Sequence, residues 1–292
     1  MKFSRVITPP TKWNRNMKLF NSRSANKRKE VESTQLTSVD VCVHATAGYI
    51  KYAKELGESF TSTFFPGAEI RYLVFTDNID EVQRWILPDR ITVVGVEITH
   101  KPWPISAISR YNDYKNFAHL LTSELVLFTD ADMKIIGEVP STFKPNQWPN
   151  EIALVRHPGF YRKDEIVRKG VSRFLPNKTE ALGSWEDRPE SQAYVTERRR
   201  KHYVCGGVWM ATPKAAINLC SVLSSRIDDD ERRDVVAVWH DESHLNWWAA
   251  NNRHAILSPE YCFVRSYSEL DELTPRIEAL DKPAEFVQQI KG

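Results

Sequence analysis

Beyond Ser38 the chain alternates between short apolar runs bounded by polar residues and longer stretches whose apolar positions recur every three or four residues. VCVHAT (41–46), YLVFTD (72–77), ITVVGVEI (91–98) and LVLFTDAD (125–132) are short and rich in β-branched or aromatic side chains, so each predicts a buried strand. Between them, Tyr49, Ala53, Leu56, Phe60 and Phe64 fall on one helical stripe, and Ile108, Tyr111, Phe117 and Leu121 on another. IALVRH (152–157), VWMAT (208–212) and AILSPEY (255–261) predict later strands. Thr212 and Pro213 form an N-cap and first-turn pair opening a helix through Ala216, Cys220, Leu223 and Ile227. The alternation predicts an α/β fold, a Rossmann-like, mostly parallel twisted sheet flanked by helices, with ligands beyond the carboxyl ends of the strands.

Composition sharpens this picture at the N-terminus. The first thirty residues carry nine basic side chains against one acid, Glu30, leaving 31 basic and 37 acidic residues in the body. Residues 1–38 are therefore expected to form a basic, flexible arm, read first as a solubilising tail and second as a contact for anionic surfaces. One compact domain is expected over 39–264, followed by a C-terminal tail over 265–292. No apolar stretch approaches the roughly 18 residues that span a bilayer, and the N-terminus lacks the apolar core of a secretory signal. A cytoplasmic location, at most peripheral to a membrane, is the expectation. Cys42, Cys205, Cys220 and Cys262 lack the close spacing of zinc or redox pairs and read as reduced, buried thiols.

Two segments carry chemistry. Asp130-Ala131-Asp132 ends a buried strand, where two carboxylates can share one hard divalent cation that clamps a diphosphate. A solvated acidic turn has the same letters. So does the nucleophile and acid/base pair of a haloacid-dehalogenase-like phosphatase, although Met133 and Lys134 follow here. His240-Asp241-Glu242-Ser243-His244 opens a helix; Asp241 stands where a zinc-protease helix has glutamate, which disfavours zinc. Acids in the first turn also suit the helix dipole, and Asp241 and Glu242 could instead face a sugar beside Trp239.

WHDESHLN (239–246) followed by LSPEYC (257–262) resembles the C-terminal signature of glycosyltransferase family 6, the family of the blood group A and B transferases and the α-1,3-galactosyltransferases. FPGAEIRYLVFTDN (65–78), Trp103 with Arg110 seven places on, DADM (130–133), HPGFY (157–161), RPESQAY (188–194) and Gly206-Gly207 follow the family's order. The resemblance implies a GT-A fold, a UDP-GalNAc or UDP-Gal donor and Mn2+, with Mg2+ as second candidate. It also implies retaining transfer to the 3-hydroxyl of a galactose-containing oligosaccharide or glycolipid.

By position, Asp130 and Asp132 would hold the metal and Glu242 would be nucleophile or oxocarbenium stabiliser. His44, Ala45, Thr46, Tyr49, Arg110, Ala131, Gly206, Gly207 and Asp241 would bind donor, and His157, Ser184, Trp239 and Glu242 acceptor. By the same resemblance Gly207 falls at a donor-selectivity position of the blood group pair, where glycine would leave space beside the donor's second carbon and point to UDP-GalNAc ahead of UDP-Gal, and Cys205 falls at another. Departures from the mammalian pattern are His44 for an aromatic residue, Ser184 for threonine, Val264 for an acceptor-contacting aspartate, and a longer stretch between Tyr161 and Ser184. The chain resembles soluble bacterial or phage-type members; many of those have Asn-x-Asn, so the two aspartates here imply metal dependence. A non-catalytic sugar-nucleotide binding protein is the other class considered.

Overall fold

The apolar runs pair into one large sheet. The computed structural model describes residues 35–161 and 182–291. The basic arm up to residue 34 and most of the lengthened stretch after Tyr161 lie outside the described residues. Its strands are β1 (Ser38–His44), β2 (Glu69–Thr76), β3 (Ile91–Glu97), β4 (Leu125–Asp130), β5 (Met133–Ile135), β6 (Ile152–Arg156), β7 (Val204–Ala211), β8 (Ala255–Leu257) and β9 (Ile277–Ala279). Among the described residues, seven form a sheet in the order β3-β2-β1-β4-β7-β6-β8, and β5 pairs with β9 separately. Its helices are α1 (Ile50–Glu58), α2 (Ile79–Gln83), α3 (Ile105–Asn116), α4 (Pro213–Glu231), α5 (His240–Asn251) and α6 (Ala284–Lys291).

Period-two alternation explains why the strand runs are apolar throughout. Val41, Val43, Leu125 and Leu127 face one core, which includes Tyr52, Ala53 and Leu56 of α1. Cys42, Val126 and Phe128 face the other, with Tyr111 of α3, Leu219 of α4 and Leu245 of α5. Both faces are covered, so neither face of a strand needs polar residues. All four cysteines are buried and free. The proposed cap is present: the Thr212 Oγ1 accepts from the Ala215 amide at 3.3 Å, with Pro213 at the first position of α4.

The structure departs from the sequence reading at several ends. α1 stops at Glu58, where the Ser59 hydroxyl donates to the Leu56 carbonyl. Phe60 and Phe64 therefore stack on each other in the following turn, with ring centroids 4.5 Å apart. α3 ends at Asn116, leaving Phe117 and Leu121 outside it. AILSPEY is a three-residue strand followed by a 3-10 turn over Pro259–Cys262, because Ser258 caps the Glu260 amide and Pro259 has no donor for a ladder. Two of the six pairings in the large sheet, β4 with β7 and β6 with β7, are antiparallel.

That topology positions the site. β1 leads to β2 and β3 on one side and is flanked by β4 on the other, so the connections reverse between β1 and β4. A crevice opens at such a switch point. His44 lies in register with Asp130 there, while antiparallel β7 brings its early residues to the same end, with Val208 opposite Thr129. Residues after Val264 also return to the body. β9 pairs with β5, immediately after Asp132, and Phe286 of α6 packs edge-on against Tyr49 and Tyr52. No helix of the described residues is long and apolar enough to cross a membrane.

Candidate active site

A cleft of about 150 Å3 at the ends of β1 and β4 is lined by His44, Thr46, Tyr49, Arg110, Asp130, Ala131 and Asp132, together with Trp103, Ser106, Ala107 and Lys282. His44 Nε2 lies 3.0 Å from Asp113 Oδ2, and the Thr46 hydroxyl lies 3.1 Å from His100 Nδ1. Tyr49 belongs to the 3-10 turn before α1 and faces this cleft. Ala45 does not line it: fully buried, it donates its amide to the Phe75 carbonyl at 2.8 Å.

Arg110 joins the two acidic segments. Its Nη1 donates to Asp130 Oδ1 at 2.6 Å and its Nε lies 3.4 Å from Asp241 Oδ2. Burial opposes the guanidinium charge, but Asp241 and Asp130 more than offset it and hold the pKa well above its ordinary value. Asp241, itself pushed up by burial, is drawn back by Arg110. Asp113, also on α3, pairs with His44.

Lys282, from the chain after β9, forms an ion pair with Asp132. Burial, followed by neighbouring Asp130, raises the Asp132 pKa, and Lys282 counters them. Among the described residues no group of three or more His, Cys, Asp or Glu side chains is arranged to hold a metal. Asp130 and Asp132 nevertheless present hard oxygen donors to one cleft. That fits the partial shell a small divalent cation uses when substrate phosphates and water complete it. Occupancy there requires Lys282 to yield Asp132.

The glycine pair of β7 links this cleft to Glu242. The Gly206 amide donates to Glu242 Oε2 at 2.8 Å. A Cβ at Gly206 would lie 3.2 Å from that of Glu242, and one at Gly207 would lie 3.0 Å from Asp130 Oδ2. Glycine lets the strand pass between the two carboxylates. Burial raises the Glu242 pKa to about 7, against the lowering effects of the Gly206 amide and the neighbouring Tyr203 hydroxyl. Trp239 and His240 set the entry to α5. His240 has φ 51°, in the left-handed region, and its ring meets Trp103 edge-on with centroids 4.8 Å apart. Unfavourable backbone of this kind is concentrated at functional sites.

A second cleft, of about 460 Å3, is lined by His157, Ser184, Trp239 and Glu242, the four proposed acceptor residues, with Gly159, Phe160, Tyr267 and Glu269. His157 is also a turn residue: its Nδ1 accepts from the Gly159 amide at 3.1 Å. Burial lowers its pKa to about 4, so it is neutral near pH 7. His244 does not join His240 as a metal ligand. Its Nε2 lies 3.5 Å from Asp230 Oδ2, tying α5 to the end of α4.

Sequence reasoning missed Lys282, Tyr203, Tyr267 and Glu269. Lys282, Tyr267 and Glu269 fall beyond LSPEYC (257–262), the last motif read from the sequence. Tyr203 precedes β7 with no motif of its own, and only its edge-on contacts with His157, Phe160 and Trp185 reveal its place.

The family model described as "Glycosyltransferase family 6" matches residues 24–287. The chain is 27% identical over 247 residues to histo-blood group ABO system transferase 1 of Rattus norvegicus, covering 83% of this chain and 64% of that protein. It is 24% identical over 236 residues to the O-antigen biosynthesis glycosyltransferase WbnI of Escherichia coli, covering 79% of this chain and 90% of that protein. It is 23% identical over 227 residues to globoside alpha-1,3-N-acetylgalactosaminyltransferase 1 of Homo sapiens, covering 77% of this chain and 60% of that protein. The chain thus spans less than two thirds of the ABO and globoside enzymes. With a large, mostly parallel sheet flanked by helices in a GT-A arrangement and a family match over most of its length, this chain belongs to glycosyltransferase family 6.

Proposed function

We propose that the protein transfers GalNAc or Gal from a UDP-sugar to the 3-hydroxyl of a galactose-type acceptor with retention of the α configuration. The observation that carries the proposal is the succession Asp130, Arg110, Asp241 and then Gly206, Glu242, which joins a phosphate-sized acidic cleft to a sugar-sized one. His44, Thr46 and Tyr49 suit the nucleoside, and Asp241 with the Gly206-Gly207 pair suits the donor sugar. Trp239 and His157 suit the acceptor, the indole face covering the apolar side of a pyranose ring.

In this reading Asp130 and Asp132 would hold Mn2+ or Mg2+, which supplies charge neutralisation for the departing UDP. Arg110 keeps Asp130 and Asp241 in register and supplies fixed positive charge that costs no rearrangement during transfer. The Gly206 amide orients the Glu242 carboxylate, which serves the anomeric carbon as nucleophile or as stabiliser of positive charge. As the bond from the anomeric carbon to UDP breaks, its electron pair leaves with the phosphate, and the acceptor hydroxyl's proton passes to that leaving group. The absence of a side chain at position 207 and the N-acetylgalactosaminyltransferase activity of the globoside relatives favour GalNAc over Gal.

Two other readings are weaker. A phosphatase nucleophile at Asp130 would have to act from a carboxylate clamped by Arg110 at 2.6 Å. A purely binding role gives no account of a glutamate held on an amide at the junction of two clefts. The test is a UDP-sugar hydrolysis screen with and without Mn2+, comparing the parent with Glu242→Gln and Asp132→Asn. Hydrolysis lost in both variants supports the reading; nearly equal rates in all three overturn it.

A further inference from the structure

The RPESQAY segment (188–194) and the Glu186 that precedes it line neither cleft, yet they grip the turn from which α5 springs. That turn has an unfavourable shape. His240 has φ 51°, its amide donates to the Ala237 carbonyl at 3.0 Å, and the Trp239 amide donates to the Ser243 hydroxyl at 2.9 Å. A left-handed residue other than glycine persists only where its surroundings over-determine it. Val236, Val238 and Trp239 are exposed, so apolar burial does little to fix this one.

Polar contacts fix it instead. The buried Glu186 carboxylate accepts the Val238 amide at 2.7 Å through Oε2, and the same oxygen accepts Arg188 Nη2 at 2.7 Å. Its Oε1 accepts Arg188 Nε at 2.8 Å and the Arg188 amide at 3.1 Å. Arg188 Nη2 also donates to the Val236 carbonyl at 2.7 Å, so the pair holds the turn by one amide and one carbonyl. Burial opposes the Glu186 charge, but the bonds from Arg188 and from the Val238 amide outweigh it and lower the pKa. The segment is itself braced on α4. The buried Asp230 accepts the Ser191 hydroxyl at 2.9 Å and the Gln192 amide at 2.8 Å, and Arg226 Nε donates to the Gln192 carbonyl at 3.0 Å.

The turn delivers two consecutive carboxylates. Asp241 Oδ2 lies 3.4 Å from Arg110 Nε, and Glu242 Oε2 accepts the Gly206 amide at 2.8 Å. Successive side chains on a helix point about 100° apart, so rolling the first turn of α5 moves both carboxylates together. We infer that Glu186 and Arg188 are positioning residues for sugar transfer: braced on α4, they set the roll of α5 so that Asp241 meets Arg110 while Glu242 meets the Gly206 amide. This rests on the proposed function above, since it takes Glu242 as the group that serves the anomeric carbon. It also gives RPESQAY a task in the reaction without contact with either substrate.

The experiment uses the full chain and measures UDP-GalNAc and UDP-Gal hydrolysis with Mn2+ across pH, UDP affinity by calorimetry, and the melting temperature. Glu186→Gln keeps the side chain's size but removes the charge that holds Arg188. It should lower kcat per UDP-binding site by about tenfold or more, the scale of a small misplacement of a reacting group. UDP affinity, set by the first cleft, should stay near the parent's. The midpoint of the rising pH limb should move upward, because a Glu242 drawn off the Gly206 amide loses a bond that lowers its pKa. Arg188→Lys keeps a charge beside Glu186 but lacks the fork that also reaches Val236. It should show the same pattern more weakly, and it carries the test if Glu186→Gln does not fold. A lower melting temperature with kcat per site and pH midpoint unchanged would reduce the pair to a structural role and overturn the inference, as would a loss confined to UDP affinity. If the parent hydrolyses neither donor, the proposed function itself fails; if it does and both variants match it, this inference alone fails.

Discussion

The Gly206 amide donates to Glu242 Oε2 at 2.8 Å, so a strand residue and a helix residue 36 positions apart fix one carboxylate at the junction of two clefts. Burial raises its pKa to about 7, while the role proposed for it requires the ionised form. Donor turnover should therefore rise with pH through a midpoint near 7. In Glu242→Gln that limb should vanish and turnover should fall at least about 100-fold, the scale of losing one preorganised electrostatic partner. The stability effect has the opposite sense. The folded state holds the proton more tightly than the unfolded chain, so stability is greatest below the ordinary carboxylate range and is lost as pH rises towards about 7. Glu242→Gln should consequently melt above the parent at pH 8 and converge with it in acid, which thermal scans at both pH values will show.

Arg110 reaches Asp130 with one nitrogen and Asp241 with another. A lysine presents a single point charge and cannot hold both carboxylates in a planar fork. Arg110→Lys should lower kcat for donor hydrolysis by roughly 100-fold, nearly as much as Arg110→Ala. Substantial activity in the lysine variant would show that net charge alone is what matters there.

At Gly207 a methyl group would meet the Met133 terminal methyl at 2.7 Å and Asp130 Oδ2 at 3.0 Å. The methionine end can move, so the conflict falls on Asp130 and on whatever occupies the space beside it. Gly207→Ala should reduce the ratio of kcat/KM for UDP-GalNAc over UDP-Gal by about tenfold, the scale of one methyl group in a fitted pocket. An unaltered ratio would detach Gly207 from donor choice.

Lys282 neutralises Asp132 at the position proposed for a divalent cation. In the absence of nucleotide, Lys282→Ala should bind Mn2+ about tenfold more tightly than the parent, because metal no longer displaces a tethered ammonium. Titration followed by electron paramagnetic resonance measures this independently of catalysis. Stripping metal with EDTA should abolish transfer by the parent, and full activity after stripping would refute metal dependence.

Much of the architecture is readable from residue order because β1, β2 and β4 are covered on both faces, so their apolar runs are unbroken and their ends are marked by polar residues. Asp130, Arg110 and Glu242 were readable by the order of family motifs. Helix ends were less so. Phe60 and Phe64 keep a helical spacing while serving a turn, since apolar periodicity records which face is buried and not which backbone conformation buries it. The antiparallel direction of β7 leaves no mark in VWMAT, because direction is decided by connections and not by side chains. Lys282 and Glu269 carry no local signal either: each acquires meaning only when the chain after Val264 folds back onto distant carboxylates or a distant cleft.

β9 is zipped onto β5 directly behind Asp132, and Lys282 follows it. The ammonium that balances Asp132 lies 150 residues further along the chain. A nascent chain that has released β1 to β4 therefore still carries an uncompensated acidic cleft, whose charge is balanced only when the segment after β9 folds back onto it.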